Sequence, residues 1–93
     1  MMNLESRIGE VYDGVISGII DRGIIVEVVY SKCEGLMPFD SLYEAFDLET
    51  SRLKATGKRT GKVFKMGDKV KVKVMDTDLI AKQINFELVE EES

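Results

Sequence analysis

Residues 69–74 read KVKVKV, three β-branched residues alternating with three cations. A period of two fits an extended strand with one face in a core, so Val70, Val72 and Val74 are expected inward and Lys69, Lys71 and Lys73 outward. This strand closes a basic stretch, residues 52–74, in which nine Lys or Arg stand against a single acid, Asp68. The local charge is plus eight in a chain whose total is −4. One segment therefore supplies both a core strand and a cationic ridge. Lys and Arg that neutralise phosphates dominate polyanion affinity, so a local stripe of this kind outweighs the acidic total. The plain alternative is a charged face that keeps the chain soluble.

Ninety-three residues suit one domain with one small core. At 44% hydrophobic and 32% charged the composition is that of globular material, and no apolar run approaches the roughly 20 residues that cross a bilayer. No membrane association is expected. The opening MMNLESRIGE has neither the apolar centre of a secretory signal nor the Arg-rich character of a transit peptide. The single cysteine, Cys33, forms no internal disulfide and fits a cytoplasmic location. With no histidine, the chain has no Ser-His or Cys-His pair and no usual zinc ligand set. Its seventeen acids show no concentrating spacing, so neither an active site nor a cofactor is expected.

In chain order, GEVYDGVISGII at 9–20 reads as a strand punctuated by Gly14 and Gly18. Val11 and Ile16 are an odd number apart, so placing both in the core requires a phase slip, expected at Gly14. A turn at Asp21, Arg22 and Gly23 leads to IIVEVVY, with Ile24, Val26 and Val28 facing inward and Ile25, Glu27 and Val29 outward. SKCEG at 31–35 is a hairpin turn, and LMPF follows as a short strand that Pro38 marks as an edge or an end. Leu42, Phe46 and Leu53 in DSLYEAFDLETSRLKA fall at helical offsets, with Asp40 a candidate cap. TGKRTGK at 56–62 reads as a hairpin turn, Met66-Gly67-Asp68 as another, and Asp76-Thr77-Asp78 as a third. QINFEL at 83–88 then places Ile84, Phe86 and Leu88 inward.

Five short strands with a helix or long excursion between the third and fourth describe an all-β fold, a five-stranded OB-fold barrel. An SH3-like barrel ranks second because it does not need the long connection. The expected domain covers residues 9–89, with an N-terminal extension at 1–8 and a frayed acidic tail at 90–93.

The ordered segments GEVYDGVISGI, RGIIVEV, EGLMPFDSL, FKMGDKVKVKV and the closing QINFEL together resemble the S1 RNA-binding domain nearly end to end. TGKRTGKVFKMGDKVKVKV with INFELVE is similar in particular to the S1 domain near the C-terminus of bacterial ribonuclease R. The resemblance implies a module that grips single-stranded RNA for a processive 3′-to-5′ hydrolytic exoribonuclease, whose catalytic body is a separate part of the parent protein. S1 domains carry an aromatic just before the glycine of the second strand and another two residues after it; here those positions are Arg22 and Ile25. The family's third-strand histidine corresponds to Pro38, and the basic residue opening its fifth strand to Gln83, with Lys82 beside it. Stacking a base on an aromatic contributes roughly 1 to 3 kcal/mol, so two lost platforms weaken binding by about two to four orders of magnitude. An Arg22 guanidinium stacks on a base in partial replacement, whereas Ile25 does not.

The candidate RNA-contacting residues are Tyr12, Arg22, Ile25, Lys32, Phe39, Lys62, Phe64, Lys65, Lys69, Lys71, Lys73 and Lys82. Tyr12 and Phe64 are read equally as core aromatics, while the core reading is preferred for Phe39 and the solvated turn reading for Lys32. The alternation leaves open whether the lysine ridge shares a side with Arg22, and the nucleic-acid reading expects it beside the Arg22 groove. Binding is then by Lys and Arg to phosphate with little sequence readout, in a monomeric module. The competing reading is a protein-docking barrel. Residues 1–50 hold ten acids against three bases, and Ile25 with Val29 would form an apolar patch.

Overall fold

The structure is a computed structural model that describes residues 8–78, 80 and 83–90. Among the described residues eight strands form: β1 (Val11–Ile20), β2 (Gly23–Val28), β3 (Glu34–Pro38), β4 (Phe46–Leu48), β5 (Lys54–Gly57), β6 (Val63–Lys65), β7 (Lys69–Asp78) and β8 (Gln83–Leu88). Five of them close into a barrel in the order β1-β2-β3-β8-β7, with β7 returning to β1, which is consistent with an OB-fold. Every contact in the ring is antiparallel except β3 with β8, where Leu36 pairs with Asn85.

The alternation read from the sequence sets the barrel interior. Ile24, Val26 and Val28 of β2, Val72 and Val74 of β7, and Phe86 of β8 are buried, with Val70, Ile84 and Leu88 packed against them. Burying each such side chain contributes about 1.5 to 3 kcal/mol. The odd spacing in β1 is resolved differently from the expectation. Gly14 keeps register, pairing with both Val28 and Val70, and Val11 is exposed. The slip lies between Ile16 and Gly18, so Ser17 is the extra residue and Ile16 and Ile19 both point inward. Gly14 serves packing instead, because a methyl group there would fall on Val26 Cγ1.

The long excursion between β3 and β7 is present, and its regular structure is β apart from one short 3-10 helix, Phe39–Leu42. Asp40 lies within the first turn of that helix; its cap is Pro38, without a side-chain hydrogen bond. Strands β4, β5 and β6 form a separate antiparallel sheet. The helical offsets of Leu42, Phe46 and Leu53 are thus coincidental, since Phe46 and Leu48 occupy one face of β4 and Leu53 is exposed. Phe46 ties this sheet to the core by stacking on Phe39 at 4.7 Å between ring centroids and lying 5.8 Å from Phe64.

The segment Asp76-Thr77-Asp78, expected as a turn, continues β7 and pairs with Asn85, Ile84 and Gln83. A register shift between Val74 and Asp76 makes Met75 an extra residue. Val72 and Val74 face inward, so the insertion carries Asp76 onto the outer face that it shares with Asn85.

Candidate nucleic-acid interface

Among the described residues, separate grooves on the barrel's outer surface hold the cationic candidates. The first lies beside the β1–β2 turn, has a volume of about 650 Å3, and includes Arg22, Leu36, Phe39, Asp76, Gln83 and Asn85 in its lining. A shallower depression of about 250 Å3 adjoins it, sharing Arg22, Leu36 and Gln83 and adding Ile25 and Glu34. β8 explains the polar row here: its inward positions are Ile84, Phe86 and Leu88, so Gln83 and Asn85 project outward. Arg22 Nη2 donates to Gln83 Oε1 at 3.4 Å, Gln83 Nε2 to Asn85 Oδ1 at 2.7 Å, and Asn85 Nδ2 to Asp76 Oδ1 at 2.6 Å. The turn itself is held from outside. Phe39 N–H donates to the Arg22 carbonyl at 3.0 Å, and Arg52 forms a 2.7 Å ion pair with Asp21.

The second groove, about 850 Å3, includes Asp13, Lys62, Lys69, Lys71, Val89 and Glu90 in its lining. β7 does bring Lys69, Lys71 and Lys73 together on one strand face, facing Val15, Asp13 and Val11 of β1. Acids interleave with them: Asp13 stands opposite Lys71, Glu87 opposite Lys73, and Glu90 is ion-paired with Lys62. This groove has no lining residue in common with the one at Arg22. The single cationic ridge expected beside Arg22 is therefore divided, because Lys69, Lys71 and Lys73 lie on the first half of β7 against Val15, Asp13 and Val11 of β1, while the part of β7 that reaches the Arg22 groove carries Met75 and Asp76.

The remaining candidates scatter further. Phe64 is only 5% exposed and packs into the core, although it lies in the floor of the second groove with Lys62. Phe39 is half-buried and already stacked on Phe46. Tyr12 is half-buried and donates its hydroxyl to Glu10 Oε2 at 2.7 Å. Lys32 is exposed in the β2–β3 turn at φ 62°, at the end of β2 remote from Arg22. Lys65 lies on β6 directly across from Lys54, and Lys82 lies outside the described residues. Ile25 and Val29 form no continuous patch: they line different depressions, with Glu27 between them in sequence.

Sequence reading missed Asn85, Asp76 and the exposed tyrosines. Tyr30 is 96% and Tyr43 84% exposed, both in turns. The outward position of Asn85 was available from the QINFEL alternation; that of Asp76 was hidden by the extra residue Met75. Glu44 was also missed. Its carboxylate accepts the Thr60 hydroxyl at 2.5 Å and the backbone N–H groups of Thr60 and Arg59 at 3.0 and 2.9 Å. The Thr60 hydroxyl bond, then the backbone bonds and the nearby Arg59 charge, hold the Glu44 carboxyl below its ordinary value of 4.5. This clamp shapes the turn that presents Lys58, Arg59 and Lys62. Among the described residues no cluster of three or more His, Cys, Asp or Glu is placed to hold a metal ion, and no helix is long and apolar enough to cross a membrane.

A family model for the S1 RNA binding domain matches residues 5–88. The chain belongs to the S1 RNA-binding domain family. Among curated relatives, this S1 domain is 39% identical over 90 residues to ribonuclease R of Aquifex aeolicus and 39% identical over 86 residues to that of Thermotoga maritima. The alignments cover 94% and 92% of the chain but only 12% of each relative. Ribonuclease R of Mycoplasma genitalium, solved in its apo form and in complex with ribose-methylated single-stranded RNA, superposes with a TM-score of 0.84 at 29% identity. That superposition covers 92% of this S1 domain and 14% of the longer chain. The closed barrel and the family assignment thus agree.

Proposed function

We propose that this S1 domain grips single-stranded RNA as one part of a 3′-to-5′ hydrolytic exoribonuclease of the ribonuclease R type, working in the cytoplasm as a monomeric module. The observation that carries the reading is the match of nearly the whole barrel to a ribonuclease R that is described with single-stranded RNA bound. The groove at Arg22 takes the RNA. The Arg22 guanidinium offers both a phosphate contact and a flat face for a base, and Ile25 borders it on the adjoining strand. Arg52, ion-paired with Asp21 at the same turn, offsets the charge of that acid beside the groove. Lys62, Lys69 and Lys71 act at longer range from the second groove, with Lys73 beside them on β7, while Lys32 and Lys65 line neither groove. Phosphate contacts of this kind position the strand and carry no sequence information of their own. Bond cleavage belongs to the catalytic body of the parent protein, a direct partner of this domain.

Titration of a labelled oligonucleotide at low and moderate salt tests the reading. Binding should weaken as salt rises, and Arg22→Ala should lower affinity and reduce the slope of log K against log salt by about 0.7, one phosphate contact on a single strand. Binding that is absent, or indifferent to salt, contradicts it.

A further inference from the structure

The end of β2 remote from Arg22 carries an apolar surface that the RNA reading does not use. Tyr30, in the β2–β3 turn, is 96% exposed, and Val11 at the start of β1 and Val29 just after β2 are each nearly half exposed. These three residues line one depression of about 340 Å3. Its one carboxylate among the described residues, Asp13, stands opposite Lys71 of β7. The grooves at Arg22 and at the lysines, by contrast, each include among the described residues one exposed large apolar side chain, Met75 and Val29 respectively. Apolar area gathered at one place on a surface marks an interaction site, and tyrosine is among the residues that carry most of the binding energy at such sites.

Both ends of the barrel's chain come to this surface. Val11 opens β1 within the depression, while Val89 and Glu90, which follow β8, line the lysine groove together with Val29. The Val89 N–H donates to the Lys71 carbonyl at 2.8 Å, which holds that exit across β7 from Asp13. The alignments cover only 12% of the curated relatives and 14% of the solved one. In a parent of that size most of the chain therefore continues from one of these two points, and either point is beside Val29. An apolar surface next to the tether meets the tethered body at high effective concentration. We propose that Val11, Val29 and Tyr30 dock this domain onto the rest of its own parent chain, which fills the depression with apolar side chains and covers the Tyr30 ring. The inference rests on the reading of the domain as one part of a ribonuclease R-type protein. Docking here leaves Arg22, at the opposite end of β2, open to RNA.

Nitration of tyrosines by tetranitromethane in the full-length protein, read by mass spectrometry, tests the inference. Tyr43 is the internal reference, because it is 84% exposed and lies outside the depression. Tyr30 should react at least about tenfold more slowly than Tyr43, the protection that about 1.4 kcal/mol of docking gives. Val29→Lys sets a charge into the contact at a half-exposed turn position, so it should return Tyr30 to the rate of Tyr43. A Tyr30 that reacts as fast as Tyr43 in the unsubstituted full-length protein, or that stays protected in Val29→Lys, overturns the inference. Protection that fades on dilution shows a second copy of the barrel on this surface and also overturns it. RNA takes no part in the measurement, so a failure of the RNA-binding reading would show in the oligonucleotide titration and leave the Tyr30 protection as it is.

Discussion

Glu44 shows how one carboxylate can organise a basic turn. Three donors from Arg59 and Thr60 converge on it, and the absence of a side chain at Gly57 makes room, since a methyl group there would fall on Glu44 Oε1. Bonds to the ionised form lower its pKa, so the stability they contribute is present above the unfolded value and is lost as pH falls through the folded one. A carboxyl-detected pH titration by NMR should therefore place the Glu44 midpoint below 4.5, with the Arg59 and Thr60 amide signals moving in step. A midpoint at or above the ordinary value, or amides that ignore it, would show that the clamp does not form. None of this was legible in the sequence, where Glu44 lies thirteen residues before Gly57 in a stretch that reads as helix. At Arg22 and Ile25 the sequence was more informative, because the departure from the family pattern is itself written there.

At the level of strands, long alternations were readable and short ones were not. β2, β7 and β8 each carry three inward apolar residues at a period of two, and the structure uses them as written. β4 and β6 have three residues each, too few to show any period, so the stretch they share with the 3-10 helix offered accidental helical spacing instead. The extra residues Ser17 and Met75 were likewise invisible, because an insertion in a strand changes facing without changing composition. Those insertions decide the site, since Met75 places Asp76 outward. The β7 lysines illustrate the opposite limit: the sequence showed that they share a face, but the acids opposite them come from β1 and β8. With Asp13 and Glu87 across from Lys71 and Lys73, the proposal of RNA at the Arg22 groove makes their pull on the strand long-ranged and screened over about 10 Å at 0.1 M salt. Replacing Lys69, Lys71 and Lys73 together by Ala should lower RNA affinity several-fold at low salt and very little at 0.2 M. An equal loss at both salts would show that the lysines touch the strand directly.

For the whole molecule, charge is distributed unevenly over a barrel with extents of 36 × 32 × 22 Å: Lys62, Lys69 and Lys71 line one groove, while Arg22 shares the other with Asp21, Asp40 and Asp76, so its hold on RNA rests on the guanidinium and on the offset of Asp21 by Arg52. Distances of that size exceed the screening length at physiological salt, so a strand at one groove responds to the local residues far more than to the net charge. The fold supplies the surface by closing five strands into a ring that brings the β1–β2 turn against the start of β8. Residues distant in the chain, Arg22 and Gln83, become neighbours through that closure; the family resemblance marked both positions, and the fold adds Asn85 and Asp76 beside them. Amide chemical-shift mapping of the isotopically labelled domain during titration with a single-stranded oligoribonucleotide tests this most directly. The largest shifts should cluster at Arg22, Ile25, Leu36, Gln83 and Asn85, with small ones at Lys69, Lys71 and Lys73. Shifts concentrated on the β7 lysines and Lys62, with the Arg22 groove silent, would contradict it.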